Sequence, residues 1–277
     1  MSDKVVLITG TSSGIGLAAA VSAARSGFTT VATLRDPARA AGLRRAAEAA
    51  GVELDIRRLD VTDAASVEEC VAGVIADHGR LDAVVNNAGA GHVGTIENES
   101  VDEVREVMEV NFFGVVTVTK AVMPHLRATG GRLLTVTSVG GVIGQPFNEA
   151  YCAAKFAAEG FMESLAPVAA TAGVTVAVIE PGAVASEFVA NVGIEESAAA
   201  EAGVYGPALA NYLSRTRGAF AAAQTPEAVG EAITEALTTD RPAFRIQTSD
   251  AARAFVGAKL ADLDGSLVQA ATSAWVG

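Results

Sequence analysis

Tyr151 and Lys155 stand four residues apart at the start of a segment with helical periodicity, which puts the phenol and the ammonium on one face. An unperturbed tyrosine titrates near pH ~10, and each unit of depression by a nearby cation corresponds to about 1.4 kcal/mol. A few units would make Tyr151 a general acid or base near neutral pH. The bare pattern is common, and an exposed helix pair satisfies it equally well. Its neighbours add weight: Ser138 follows a β-branched run thirteen residues before Tyr151, and Asn111 lies inside a long helical stretch upstream.

A second group sits at the other end of the chain. Thr9-Gly10-Thr11-Ser12-Ser13-Gly14-Ile15-Gly16 joins an apolar run to a helical pattern. Its glycines permit a tight turn and close backbone approach, and the helix amides then face an anion such as a nucleotide pyrophosphate. Tight strand-helix packing alone would use the same glycines. The end of the next apolar run, Leu34-Arg35-Asp36, bears on the choice. An acidic residue there bonds ribose hydroxyls, whereas a basic one accommodates a 2'-phosphate. Arg35, with Ser12 and Ser13 as further donors, favours NADP(H). Asp36 turned towards the ribose would favour NAD(H), and a solvated Arg35-Asp36 pair is the third reading.

The elements that position these residues follow from periodicity. Val5-Val6-Leu7-Ile8, a helical pattern from Gly14 to Arg25 and Thr29 to Leu34 make a βαβ unit. The alternation continues with runs at Glu53 to Leu59, Leu81 to Asn86, Arg132 to Thr137 and Val174 to Ile179, and with helices near 63–77, 101–127 and 149–171. Continuous apolar strands imply helices on both faces. The expected class is therefore α/β, a single-domain Rossmann fold over residues 1–277 with a doubly wound parallel sheet of six to seven strands, Ala243 to Ile246 being the candidate seventh. Helices are expected from Ala208 to Ala223 and from Pro226 to Leu237, the latter capped by Thr225, with a helix and an irregular end from Ser249 onward. The loose stretch at about 184–223 is where a substrate lid would sit.

With 50% hydrophobic and 19% charged residues, the chain can bury a sizeable core. A formal net charge of -12 repels phosphate backbones and anionic lipid, so neither nucleic acid nor a membrane is an expected partner. The apolar run after Lys4 ends at Gly10, too short for a signal core, and no uncharged apolar run reaches 18 residues, so a cytoplasmic location is expected. Cys70 and Cys152 are isolated and read as reduced thiols. His78, His92 and His125 have no ligand-like spacing; they read as surface or loop residues, and no metal is expected.

The ordered set of Gly-rich turn, Asn86-Asn87-Ala88-Gly89, Asn111, Ser138, Tyr151-Cys152-Ala153-Ala154-Lys155 and Pro181-Gly182 strongly resembles the short-chain dehydrogenase/reductase family. The stretches Thr33 to Asp36, Ser138 to Gly141, Pro146-Phe147-Asn148 and Tyr151 to Ala157 resemble its 17β-hydroxysteroid dehydrogenase type 1 and retinol dehydrogenase branch. The resemblance implies that Tyr151 is the acid/base, that Ser138 bonds the substrate oxygen, that Lys155 holds the ribose and lowers the Tyr151 pKa, and that Asn111 anchors a proton-relay water. It further implies that Gly10, Ser12, Ser13, Gly14, Ile15 and Gly16 hold the pyrophosphate end, that Asp60 and Val61 flank the adenine, that Asn87, Ala88 and Gly89 line the adenosine side, and that Pro181, Gly182 and Val184 meet the nicotinamide. Ser186 replaces the family's usual Thr, keeping the hydroxyl but losing the methyl that restricts its rotamer.

The implied reaction is NADP(H)-dependent reduction of a bulky hydrophobic ketone, steroid-, retinoid- or polyketide-like, or its reverse. Phe188, Val189, Val192, Ile194, Tyr205, Leu209, Tyr212 and Leu213 are candidates for the substrate wall, and no histidine lies among them. The competing readings are an NAD(H)-linked alcohol dehydrogenase and a non-catalytic nicotinamide-sensing module. A homodimer or homotetramer is expected by resemblance, with Phe112, Phe113, Val116, Phe161, Met162 and Leu165 facing either a partner or the core.

Overall fold

Alternate residues along the first strand already divide the interior in two. In the computed structural model, Val5 and Leu7 enter one apolar cluster and Val6 and Ile8 the other, as the two-residue period of a strand requires. The structure describes residues 4–186, 199, 202–221 and 223–276. Its seven strands, β1 (Val5–Thr9), β2 (Thr29–Leu34), β3 (Asp55–Arg58), β4 (Ala83–Asn86), β5 (Arg132–Val136), β6 (Thr175–Glu180) and β7 (Arg245–Gln247), form one sheet in the order β3-β2-β1-β4-β5-β6-β7. Every pairing is parallel.

Helices cover both faces. On one lie α1 (Gly14–Arg25) and Pro226–Thr238, which bury Ala19, Ala20, Ala23, Val229 and Ile233 against Val6, Ile8, Val85 and Ile179. The two helices approach so closely that a Cβ on Gly230 would lie 2.8 Å from the Ala18 carbonyl carbon. On the other face lie Ala64–His78, Gly114–Thr129 and Glu149–Ala170, contributing Val67, Val71, Val115, Val118, Val122 and Met162. Among the described residues the α-helices with defined bounds are, in chain order, α1, α2 (Ala41–Ala50), α3 (Ala64–His78), α4 (Val101–Met108), α5 (Gly114–Thr129), α6 (Glu149–Ala170), α7 (Gly206–Ala221), α8 (Pro226–Thr238), α9 (Asp250–Ala261) and α10 (Ser266–Ser273).

The expected α/β architecture of six to seven parallel strands is present with seven, and the departures have local causes. Helix α2 is absent from the sequence reading although its less exposed residues recur at helical spacing, Leu43, Ala46, Ala47 and Ala50; the stripe is made mostly of alanine, which is small and easily passed over as an apolar signal. The single helix expected over 101–127 is α4 and α5 joined by a π-helical turn, Glu109–Phe113. Its start is fixed by a capping box in which Glu103 N–H donates to Ser100 Oγ (3.2 Å) and Ser100 N–H to Glu103 Oε2 (2.7 Å). By length and composition the run Val101–Thr129 is apolar enough to cross a membrane, yet Val115, Val118, Val122 and Leu126 are packed into the core. The tail forms two helices, not one. Met162, a candidate for a partner-facing surface, is fully buried among strand residues and belongs to the core; Phe113, at 47% exposure, does not.

Candidate active site

The chain runs outward from β1 to β2 and β3, then crosses back to β4, so the loops after β1 and β4 diverge and leave a crevice at the strands' carboxyl ends. The crevice is built to bring backbone close. Gly10 (φ 70°) and Gly14 (φ 57°) adopt left-handed conformations, and a Cβ on Gly16 would lie 2.2 Å from the Gly10 carbonyl oxygen. Asn87 ties the two loops together: its Nδ2 donates to the carbonyls of Thr9 (2.9 Å) and Gly10 (3.0 Å), while Thr9 Oγ1 accepts from the N–H groups of Asn87 and Ala88, both at 3.0 Å. Ser13 caps α1 in position but makes no side-chain capping bond, so the first amides of α1 are not spent on its hydroxyl. Glycine cradle and helix terminus together suit a pyrophosphate.

Beyond β2 the same cleft is lined by Leu34, Arg35, Asp36 and Arg39. Asp36 caps a short 3-10 turn over Pro37–Ala40, its Oδ1 accepting from the Ala38 N–H at 3.0 Å. After β3, Asp60 Oδ1 accepts from Thr62 N–H (3.1 Å) and Thr62 Oγ1 (2.8 Å). Val61 packs against Gly114, where a Cβ would come within 2.7 Å of it.

The second half of the cleft holds the candidate reactive side chains. Ser138 follows β5 in extended backbone and its Oγ accepts from the Gly140 N–H at 3.0 Å. Tyr151 lies in the first turn of α6 and is hydrogen-bonded to Ser138; Gly140 leaves room for the pair, since a Cβ there would lie 3.3 Å from Tyr151 Cε1. One turn on, Lys155 Nζ donates to the Val136 carbonyl (3.2 Å) and stands 5.8 Å from the centre of the Tyr151 ring. Burial pushes the Tyr151 phenol up to about 12 against the pull of the Ser138 bond, and pushes the Lys155 ammonium down to about 8 against the Glu159 charge. The phenol thus moves opposite to the expected depression, because an apolar pocket disfavours either ion.

Asn111 stands one layer behind. It is fully buried in the π-helical turn, with Nδ2 donating to the Ala90 and Val107 carbonyls (both 3.0 Å) and Oδ1 accepting from the Ala90 N–H (3.2 Å). Gly89 lies between it and the lysine: a Cβ there would be 2.9 Å from Asn111 Oδ1 and 3.4 Å from Lys155 Nζ.

Gly10, Ser12, Ser13, Gly14, Ile15, Gly16, Arg35, Asp60, Val61, Asn87, Ala88, Gly89, Ser138, Tyr151, Lys155, Pro181, Gly182, Val184 and Ser186 all line this one cleft; Asn111 supports its wall without lining it. Backbone pairing of Ala185 and Ala183 with Gln224 (2.9 and 3.0 Å) closes the base of the segment expected as a lid. Within it, Tyr212 and Leu213 reach the cleft, whereas Phe188, Val189, Val192 and Ile194 lie outside the described residues.

Sequence reasoning missed several lining residues. Arg39 sits in a turn whose Pro37 signalled a stop and nothing more. Asn148 Nδ2 donates to the Tyr212 hydroxyl at 2.7 Å, a contact across 64 positions with no local signature. His92, read as an ordinary loop residue, is half-buried on the cleft wall and pairs with Glu99 at 2.8 Å. Phe147, beside it, is the one described non-glycine residue with positive φ (58°), held by the Gly94 N–H on its carbonyl (2.9 Å) and by the Tyr212 ring at 5.7 Å. Among the described residues no His, Cys, Asp and Glu side chains gather as a metal site, and both cysteines are free and buried.

Comparison with known proteins agrees with this geometry. A family model described as short chain dehydrogenase matches residues 4–197. Retinol dehydrogenase 8 of Bos taurus is 38% identical over 275 residues, covering 95% of this chain and 87% of that protein. The 17-beta-hydroxysteroid dehydrogenase type 1 of Homo sapiens is 38% identical over 276 residues, covering 96% and 84%. Among solved structures, an alcohol dehydrogenase from Thermococcus sibiricus complexed with 5-hydroxy-NADP superposes with TM-score 0.72 at 29% identity, covering 88% of this chain and 95% of that one. A short chain dehydrogenase/reductase from Burkholderia phymatum in complex with NAD gives TM-score 0.79 at 25% identity, covering 95% and 96%.

Proposed function

This chain belongs to the short-chain dehydrogenase family, NAD(P)-dependent oxidoreductases, and on that premise we propose that it reduces a bulky apolar ketone with NADPH. The observation that carries the reading is the Tyr151–Ser138 hydrogen bond with Lys155 one turn behind it, at the mouth of the crevice. The bound nicotinamide supplies the hydride. Ser138 and Tyr151 donate to the carbonyl oxygen as negative charge develops there, and Tyr151 passes its proton to it. A phenol pushed up to about 12 holds that proton throughout the neutral range, which suits the reducing direction. Lys155 offsets the phenolate left behind and bonds the ribose; Asn111 fixes the Ala90 loop behind both and anchors a relay water.

The Gly10 to Gly16 turn, with Ser12 and Ser13, takes the pyrophosphate, Asp60 and Val61 the adenine, Asn87 to Gly89 the adenosine side, and Pro181, Gly182, Val184 and Ser186 the nicotinamide. Preference for NADP(H) is supported by Arg35 and Arg39 at the end of β2 and by the engagement of Asp36 with its own turn. The similarity to a retinol dehydrogenase and a hydroxysteroid dehydrogenase supports an apolar substrate of comparable bulk, met by Tyr212 and Leu213 on the cleft wall. Phe113 and Phe156, exposed on the α5 and α6 side, supply apolar surface for a homodimer or homotetramer.

NADPH consumption against a panel of hydrophobic ketones tests the reading, with Tyr151→Phe as the control. The variant should bind NADPH as the parent does and lose turnover. Equal, slow NADPH oxidation by both proteins across the panel would leave Tyr151 without a catalytic role and favour the sensing module.

A further inference from the structure

The substrate end of the cleft carries a cation that the proposed reduction does not use. Arg215 lies on α7 three residues after Tyr212, whose hydroxyl is bonded to Asn148, itself three residues before Tyr151. Three residues of helix, about 4.5 Å of rise, therefore separate Arg215 from a residue tied to the start of the Tyr151 helix. Both side chains line the cleft. The Arg215 guanidinium carbon stands 4.9 Å from the centre of the Trp275 ring, and that ring stacks on Phe255 with centroids 5.8 Å apart and planes at 24°. The chain end is fastened to the same helix by Asn211 Nδ2, which donates to the Val276 carbonyl at 3.2 Å.

Apolar Val93, Leu213, Phe255, Ala271 and Ala274 line the cleft with Arg215, beside polar Thr216 and Arg217. Among the described residues Arg215 makes no ion pair; its contact is with the indole. A cation over an aromatic face keeps its N–H donors unspent, and a guanidinium offers them in a fork that matches a carboxylate in two parallel bonds.

We propose that Arg215, braced on Trp275, binds a carboxylate at the end of the substrate remote from the reacting carbonyl, so that the preferred substrates are apolar keto acids and not neutral ketones. This rests on the reading of the cleft as a ketone-reducing site and adds its substrate class.

Trp275 is the only tryptophan in the chain, so its emission reports this corner without turnover. The full-length protein is titrated with decanoate and, as neutral matches, methyl decanoate and decan-1-ol; in parallel, NADPH-dependent reduction of 9-oxodecanoate is compared with that of its methyl ester. Decanoate should shift the emission at about tenfold lower concentration than either neutral probe, and the keto acid should show a KM lower than its ester by a similar factor with kcat little changed. Arg215→Gln should erase both preferences. Equal affinities in the parent protein, or a preference that survives Arg215→Gln, overturns the carboxylate site. If neither ketone is reduced while decanoate still shifts the emission in an Arg215-dependent way, the carboxylate site stands and the reductase reading fails. If the ester is reduced with no Arg215-dependent preference for the acid, the reverse holds.

Discussion

On the buried face of α6, Lys155 and Glu159 lie one turn apart, and burial moves their proton affinities towards each other, the ammonium down to about 8 and the carboxyl up to about 7. They are 5% and 3% exposed. Each is held by the end of β5 or the residue after it: the Val136 carbonyl accepts from Lys155, and Glu159 Oε1 accepts from Thr137 Oγ1 at 2.5 Å. Glu180 and Glu163 share the Arg245 guanidinium with Glu159, at 3.4, 3.1 and 3.4 Å respectively. Three carboxylates around one cation leave the local charge negative, which raises the Glu159 pKa further and steadies the Lys155 charge.

In the proposed reduction this coupling should set the pH profile. As pH rises, Lys155 at about 8 loses its proton long before Tyr151 at about 12. Without the ammonium, the phenolate formed by proton transfer has no counter-charge. The kcat/KM for ketone reduction should therefore be level up to about pH 8 and fall above it. Glu159→Gln removes the charge that raises the Lys155 pKa, so the break should move to lower pH by up to about one unit. A break that stays in place in Glu159→Gln would separate Lys155 from the carboxyl.

The same substitution has a stability signature of known sign. The folded Glu159 carboxyl titrates at about 7, above its ordinary value of 4.5, so between these limits the native state keeps a proton that the unfolded chain has released. Its contribution is greatest below pH 4.5 and is lost as pH rises through 7. Glutamine retains an acceptor for Thr137 and carries no buried charge. Glu159→Gln should be as stable as the parent near pH 4.5 and more stable near pH 8 by about 1–2 kcal/mol, the lower end because Lys155 loses a counter-charge. Urea denaturation at both values checks it; a variant less stable at the alkaline value contradicts it.

Much of this site was legible in the sequence because its parts depend on local spacing. The Gly10 to Gly16 turn, the four-residue step from Tyr151 to Lys155 and the capping of α8 by Thr225 are each set within one turn of chain, and the last is seen as Ala228 N–H donating to Thr225 Oγ1 at 3.2 Å. What escaped depends on contacts between distant segments. Nothing near Asn148 signals Tyr212, and nothing near Arg215 signals Trp275, 60 positions on. The direction of the Tyr151 shift escaped for a related reason: pairing is visible as spacing, but desolvation is a property of everything that packs around the ring. Helix α2 shows the limit from the other side, since its Ala, Leu, Arg and Glu content, its helically spaced stripe from Leu43 to Ala50 and the left-handed Gly51 (φ 66°) after it were sufficient signals that went unread.

In the proposed NADPH reading, Arg35 and Arg39, which line the cleft beyond β2, carry the coenzyme preference. Replacing either with alanine should raise the KM for NADPH by about 10- to 100-fold, the loss of one charge-assisted contact of roughly 1.5–3 kcal/mol, and leave that for NADH nearly unchanged. Titration of both nucleotides against the parent and the two variants is the measurement. Tighter binding of NADH than NADPH by the parent, with no effect of Arg35→Ala, would assign the ribose to Asp36.

Gly16 is where fold and cofactor site meet. A Cβ at this position would lie 2.2 Å from the Gly10 carbonyl oxygen and 2.4 Å from Asn87 Nδ2, both fixed by the hydrogen bonds that join the β1 and β4 loops. Neither neighbour is the free end of a flexible side chain, so relief requires α1 to move away from the turn. Gly16→Ala should cost about 1–3 kcal/mol of stability as an overpacked contact, and should weaken binding of either nicotinamide nucleotide, because the α1 amides are displaced with the helix. Gly218→Ala in α7, where a Cβ meets nothing within 4 Å, provides the contrast and should gain up to about 1 kcal/mol from helix propensity. Thermal unfolding with and without nucleotide reads both effects; a Gly16→Ala protein that keeps the parent's stability and nucleotide affinity would mean that the loops yield and the glycine is not required for the close approach.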